Sequence, residues 1–281
     1  MKADQITAAV ADSFARAENP RMARLLPLLV RHLHDFVREA EVTPQEWRAA
    51  LAFLTDCAAM TSQERNEFIL LSDVLGVSSL VDLLGHPPDA TPGSVLGPFH
   101  NHNSRLQPNG IDLAGSQAGE RTLFTGRVSN RAGSGLAHAE IDFWQNAANA
   151  LYPAQDPAQD AQNLRCKIRC DAQGRFSIVT VRPQPYTVPY DGPVGALLSA
   201  ANRHCWRPAH FHCIVSALGH ASLVTEIFPR DDPYIESDTV FGVRDGLVVP
   251  FERVDDAAEA ARHGLPTPFT RVRFEFRLAA G

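Results

Sequence analysis

The feature that most constrains the fold is a change of hydrophobic period along the chain. Up to about residue 85 apolar residues recur every three or four positions, as on a helix. Beyond about residue 120 they recur every second position, as on a strand. In PRMARLLPLLVRHLHDFV the residues Met22, Leu25, Leu26, Leu29, Val30, Leu33, Phe36 and Val37 form one helical stripe. Thr43 and Glu46 make a capping box with Pro44 at the first helical position, so a second helix starts there and runs through Trp47, Leu51 and Leu54. Thr61 and Glu64 repeat the capping pattern before NEFILLSDVL, and the short helix SSLVDLL ends at Gly85. The tract GHPPDATPGSVLGPFHNHNSRLQPNG is loop by its Pro, Gly and Asn content and marks the domain boundary. RTLFTGRVSN, AEIDFWQN, RCKIRC, RFSIVTVRP, HFHCIVSA, SLVTEIF and RVRFEFRL then read as strands, with DAQG at 171–174 as a hairpin turn. RVRFEFRL places Val272, Phe274, Phe276 and Leu278 on one face. Strands without intervening helices predict an antiparallel β-sandwich. The expected fold is mixed: a helical N-terminal domain with its connecting loop over residues 1–100, then a β-sandwich domain over 101–281.

Bulk properties remove several function classes. A net charge of −6 leaves no electrostatic footprint for nucleic acid. No apolar run is long enough for a membrane span. The start, MKADQITAAVADSF, carries Asp4 and Asp12 and lacks the apolar stretch of a secretory signal. Five cysteines, an odd count over a long chain, suit reduced thiols in a cytoplasm.

The chemistry centres on RPAHFHCIV at 207–215. Strand alternation points His210, His212 and Ile214 one way and Phe211, Cys213 and Val215 the other. Two imidazoles on one face are a solvated edge, a stacked core pair or two metal ligands. All four tyrosines, Tyr152, Tyr186, Tyr190 and Tyr234, fall in the surrounding region, two of the stretches being the proline-framed ALYPAQDP and RPQPYTVPYDGPVG. Pro fixes φ, so such loops hold a side chain in one direction. Two phenolates with two imidazoles suit a hard trivalent ion such as Fe(III) better than Zn(II); the bland alternative is tyrosines packed with their hydroxyls at the sandwich rim. A cupin-type site would need a Glu within a few residues of His212, where Cys213, Ile214, Val215, Ser216 and Ala217 stand instead. Cys166 and Cys170 lack a second pair at zinc-ligand spacing. No Gly-rich phosphate loop and no GxSxG elbow is present.

The stretches ATPGSVLGPFH, PYTVPYDGPVGALL, RHCWRPAHFHCIVSALGHASLVTEIF and DPYIESDTVFGV resemble the intradiol ring-cleaving dioxygenases. The resemblance covers nearly the whole chain and is nearest to the hydroxyquinol and catechol 1,2-dioxygenases. It implies a helical dimerisation and linker domain ahead of a catalytic sandwich, and a non-haem Fe(III) held by Tyr152, Tyr186, His210 and His212. It further implies that a small aromatic diol or triol binds the iron, that Tyr186 takes up a proton, and that O2 opens the ring without an external reductant to a maleylacetate or muconate-type diacid. Arg207 would stabilise negative charge on the ring, provided Pro208 re-aims it from the opposite strand face. Glu226 stands where catechol-cleaving members often carry Gln; as an acceptor or an acid, and not an amide donor, it either recognises an extra ring hydroxyl or points away. Pocket walls would come from Leu80, Leu83, Val95, Leu96, Gly97, Pro98, Phe99, Val188 and Pro189. His100 and His102 read as solvated loop residues, and Asp82 as a solvated helix position. Homodimerisation through the N-terminal helices, with a phospholipid at the interface, is a property the resemblance carries. The rivals are a catechol or chlorocatechol 1,2-dioxygenase with the same site, a non-catalytic sandwich carrier, and an extradiol enzyme. The last is disfavoured because no acid follows the histidine pair at the required spacing.

Overall fold

The computed structural model describes residues 2–3, 5–62 and 65–281; Asp4 and Glu64, used in the sequence argument, lie outside the described residues. Two compact units are formed, Met1–Asp56 and Cys57–Gly281.

The first unit holds helices α1 (Ile6–Phe14), α2 (Pro20–Glu39) and most of α3 (Pro44–Met60). Asn19 caps α2 by accepting from the Arg21 and Met22 amides. The capping box at α3 is formed: the Thr43 amide donates to Glu46 Oε2 at 2.8 Å, and the Glu46 amide donates to Thr43 Oγ1 at 3.2 Å. Leu29, Leu33 and Phe36 of the α2 stripe, and Trp47 of α3, are more than half exposed.

The second unit begins with α4 (Glu67–Val74) and α5 (Val77–Gly85). Asn66 caps α4, its side chain accepting from the Phe68 and Ile69 amides. Strands β1 (Leu106–Gln107), β2 (Arg121–Asn130), β3 (Glu140–Trp144), β4 (Arg165–Arg169), β5 (Arg175–Val181) and β6 (Tyr186–Thr187) follow. After α6 (Pro193–Ala200) come β7 (Trp206–Arg207), β8 (Phe211–Ser216), β9 (Leu223–Pro229), β10 (Val248–Val249) and β11 (Glu252–Val254). A short α7 (Ala257–Arg262) and β12 (Phe269–Leu278) end the fold. A six-stranded sheet, β1-β4-β3-β8-β9-β10, and a four-stranded sheet, β11-β12-β2-β5, share one apolar core. The core takes Phe143, Cys166, Phe211, Cys213 and Ile227 from the first sheet and Phe124, Phe176, Val272 and Phe276 from the second.

Three features differ from the expectations above. The sandwich is antiparallel over β3, β4, β8 and β9, but β12 runs parallel to β2 over nine residue pairs. A C-terminal strand can do this because a long connection separates it from its partner. DAQG is a tight turn, with the Gly174 amide donating to the Asp171 carbonyl at 3.0 Å, yet it links β4 in one sheet to β5 in the other. Gly174 has φ +77°, and a Cβ there would stand 2.3 Å from the Val128 carbonyl oxygen, so the crossing needs glycine. The proline-framed loop ends earlier than expected: its last residues, Pro193 to Gly195, are the first turn of α6, with Pro193 at the first position.

Candidate metal centre

Alternation on β8 sends Phe211, Cys213 and Val215 into the core and His212 to the opposite face. Strand register there aligns Arg165, Trp144, His212 and Glu226 in one row across β4, β3, β8 and β9. The Trp144 ring stacks on His212 at 4.6 Å and 5°. A separate two-stranded ribbon pairs Tyr186 on β6 with Arg207 on β7. Pro208 ends β7, and the break between β7 and β8 turns Arg207 onto the same side as the histidines. Arg207 Nη1 lies 3.3 Å from His210 Nε2, which lies 3.0 Å from His212 Nε2. His210 Nδ1–H donates to the Pro208 carbonyl at 2.7 Å, which fixes the ring and leaves Nε2 as the lone-pair nitrogen.

Tyr152 stands just before a single 3-10 turn, its amide donating to Gln155 Oε1 at 3.1 Å. Its ring stacks on Phe99 at 4.7 Å, meets Tyr186 edge-on at 5.3 Å, and lies 6.2 Å from His212. The Tyr186 ring is 5.5 Å from His210. All four rings are buried. The Tyr152 hydroxyl and His212 Nδ1 are buried without a hydrogen-bond partner among the described residues. Tyr190, by contrast, is 64% exposed, and Tyr234 stacks on Trp206 at 5.1 Å.

Burial, then the Arg207 charge, hold the His210 pKa well below its ordinary value. Burial, then His210, do the same to His212. Both imidazoles are therefore neutral, the form that binds a metal. Burial raises the pKa of both phenols; the neighbouring Tyr186 adds to the rise at Tyr152, while Arg207 opposes it at Tyr186. A multivalent cation reverses this, since it favours the phenolate. Two imidazole nitrogens and two buried phenol oxygens, one of them the unpartnered Tyr152 hydroxyl, form a four-atom donor set that fits a hard ferric ion.

Beside the four rings lies a buried ionic chain. Arg207 Nη1 and Nη2 donate to Glu226 at 2.7 and 2.9 Å, and Nε and Nη2 donate to Asp238 at 3.0 Å each. The Ser94 hydroxyl donates to Glu226 Oε2 at 2.6 Å. The Val240 and Gly242 amides donate to Asp238. Burial alone would raise the Glu226 pKa; Arg207, His212 and Ser94 outweigh it, and the net shift is downward, so Glu226 is a carboxylate. Glu226 Oε1 is 3.3 Å from His210 Nε2 and 3.4 Å from His212 Nδ1. An acid is thus present at the histidine pair after all, supplied by cross-strand pairing and not by chain spacing. Both of its oxygens already accept from Arg207.

The wall residues divide. Leu96 and Phe99 pack with Trp144, Tyr152 and Tyr186. A Cβ on Gly97 (φ +72°) would stand 3.3 Å from His212 Cε1, so this glycine permits the loop to lie against the ring. Val95 and Val188 are buried. Phe99, Val188 and Pro189 line a cleft of about 500 Å³. Leu80 and Leu83 are more than half exposed and line a different cleft, of about 1060 Å³, whose lining includes Asp238. His100 is not solvated: its side chain is 6% exposed, lies 3.2 Å from Asp142 and packs on Trp144. Asp82 is half-buried, with its carboxylate against Gly93. Ser94, Trp144 and Asp238 were missed. Alternation in AEIDFWQN could have placed Trp144 on the histidine face, whereas nothing local marks Asp238 as the partner of Arg207.

The fold and this centre are those of a ring-cleaving dioxygenase. A family model described as "Dioxygenase" matches residues 95–280, and one described as "Catechol dioxygenase N terminus" matches 19–93. A hydroxyquinol 1,2-dioxygenase from a Rhizobium species is 42% identical over 266 residues, 93% of this chain and 90% of that one. The structure of hydroxyquinol 1,2-dioxygenase from Pseudomonas putida superposes with a TM-score of 0.87 at 42% identity, covering 99% of each chain. Catechol 1,2 dioxygenase from Acinetobacter radioresistens superposes at 0.86 with 28% identity, covering 100% of this chain and 94% of that one. The chain belongs to the intradiol ring-cleavage dioxygenase family, whose members use non-haem iron.

Proposed function

We propose that the chain is an Fe(III) intradiol 1,2-dioxygenase that opens hydroxyquinol, or a substituted relative, with O2 to a maleylacetate or muconate-type diacid. The observation that carries this reading is the convergence of four buried donors, Tyr152, Tyr186, His210 and His212, with the Tyr152 hydroxyl left unpartnered. These four would hold the ion. The iron supplies Lewis acidity, which makes a bound diol easy to deprotonate. Tyr186, as the phenolate that the ion would favour, would accept the proton of an incoming ring hydroxyl and become a neutral phenol beside the Arg207 charge. Arg207, held rigidly by two carboxylates, stabilises negative charge as it develops on the ring. Val95, Leu96, Gly97, Pro98, Phe99, Val188 and Pro189 form an apolar wall that excludes water, and Leu80 and Leu83 border the approach from the larger cleft. Both atoms of O2 enter the product, so no reductant is consumed.

Oxygen uptake on a panel of diols tests the reading. Hydroxyquinol turning over faster than catechol supports it; catechol turning over far faster favours the catechol or chlorocatechol alternative, which has its own support in the fold match to the Acinetobacter enzyme. We further propose a homodimer formed through the exposed stripe of α2, with a phospholipid between the protomers, in a cytoplasmic enzyme. The helical part over residues 1–100 would serve assembly and linkage, with its connecting loop adding Val95 to Phe99 to the site wall, and 101–281 would carry the proposed metal ligands. No single helix among the described residues is long and apolar enough to cross a membrane.

A further inference from the structure

Arg165 is a buried cation with no counter-charge in contact. The residue is 5% exposed, and its Nε and Nη1 have no hydrogen-bond partner among the described residues. Strand register puts it at the end of the row that runs on through Trp144, His212 and Glu226. Burial pulls its pKa down, and Asp142 is the neighbour that opposes this most. Yet the Asp142 carboxylate is turned to other groups: its Oδ2 stands 3.2 Å from His100 Nε2 and 3.8 Å from Lys167 Nζ. Asp142 Oδ1 also lacks a hydrogen-bond partner among the described residues, so the two groups do not satisfy each other. Two fixed positive charges, Arg165 and Lys167, share this one carboxylate. An arginine buried this deeply is ordinarily paired.

The unpaired side chain lines a cleft of about 650 Å³. Among the described residues it is the one Lys, Arg, Asp or Glu in that lining. Phe99 and Pro153 give the cleft apolar wall, and His102 and Asn103 stand exposed at its rim. None of Tyr152, Tyr186, His210 and His212 lines it, although Phe99 stacks on Tyr152 at 4.7 Å. We propose that this cleft binds a small organic anion bearing a carboxylate, with the Arg165 guanidinium as its counter-charge, at a place separate from the metal centre. The guanidinium is a planar fork that matches a carboxylate bidentately. With no second fixed cation in the lining, it balances one negative charge better than a phosphate dianion. The apolar wall takes a short carbon skeleton. Such a site needs neither iron nor a diol, only the folded chain.

The experiment is calorimetric titration of the full chain with butyrate at fixed ionic strength, with phosphate and chloride as comparison anions. Butyrate should bind the wild type saturably and more tightly than either inorganic ion. Arg165→Met, which keeps the length and removes the charge, should weaken butyrate about tenfold or more. His212→Ala, which strikes the metal centre, should change butyrate binding less than about threefold. Should Arg165→Met not fold, Ala161→Trp carries the test: Ala161 is exposed and lines the cleft, and an indole there should block it and weaken butyrate about tenfold or more. A wild type that does not bind butyrate, or a folded Arg165→Met that binds it undiminished, overturns the site. So does butyrate binding that is lost in His212→Ala, which would place the carboxylate on the metal. Chloride or phosphate binding as tightly as butyrate would mean an adventitious ion only, and overturns it as well.

Discussion

The two faces of the six-stranded sheet are made from the same strands, one residue apart, and are both buried, yet they are built on opposite rules. The inner face presents Phe143, Phe211, Cys213 and Ile227, packed into the sandwich core. The outer face presents Trp144, His212 and Glu226, and the same registers add Asp142 and Arg165. Most of the buried polar atoms without a hydrogen-bond partner among the described residues lie on this outer face or against it: Asp142 Oδ1, Trp144 Nε1, His212 Nδ1, two nitrogens of Arg165 and the Tyr152 hydroxyl. A folded protein seldom leaves such groups unsatisfied without a functional reason. The inner face is optimised for stability, and on the proposed reading the outer face gives up stability to hold donors ready for a metal and a substrate.

This contrast can be broken at several points. The largest effect is expected at the centre itself. His212→Ala should bind little iron and lose activity by well over the roughly 10–100-fold typical of an outer-shell change, with a small effect on melting; metal analysis beside a thermal melt checks both. Next, Arg207→Ala should lower kcat/KM by about 10²–10³-fold. Unlike His212→Ala, it should also destabilise the fold by about 3–5 kcal/mol, because Glu226 and Asp238 are left buried without their cation. Denaturant titration reads that cost, and an unchanged midpoint would mean that the two carboxylates find other partners. On the inner face the order reverses. Phe211→Ala should cost about 3–5 kcal/mol of stability, while protein that remains folded keeps its iron and visible colour.

The smallest effect concerns Asp73 of α4, whose carboxyl is pushed up to about 6, first by burial and then by Glu226 and Asp238, against Ser78 and Arg207. The folded pKa lies above the ordinary 3.8, so between those values the folded state binds more protons than the unfolded chain. Stability therefore falls as pH rises through that window and levels off above it. Asp73→Asn should remove the fall: its advantage over the wild type grows from about pH 4 to pH 6 and is flat thereafter. An advantage that does not change with pH would show that Asp73 titrates normally.

How much was legible follows from the range over which each feature is specified. Helix caps, hydrophobic period and strand alternation are local. For that reason α2, the Thr43–Glu46 capping box, the longer strands β2, β3, β4, β5, β8, β9 and β12 and the outward turn of His212 are legible in the residues themselves, whereas the short strands β6, β7, β10 and β11 are not. The proposed ligand set comes from the resemblance to a family and not from spacing, since Tyr152, Tyr186 and the histidines lie in three separate segments. Pairing between distant segments was not legible. The parallel match of β12 with β2, the sheet change at Gly174, and the seating of Asp238 on Arg207 31 residues away leave no local trace. The acid at the histidine pair was missed for the same reason, because Glu226 reaches His212 across a ladder and not along the chain.

Metal analysis with a visible spectrum, on the wild type and on Tyr152→Phe and Tyr186→Phe, tests the central claim most directly. Four donors gripping a ferric ion predict one iron per chain, a phenolate-to-iron absorption band that shifts when hydroxyquinol is added, and a weakened or displaced band in each phenylalanine variant. A colourless wild type that takes up no iron, or a band that survives both replacements unaltered, would contradict it.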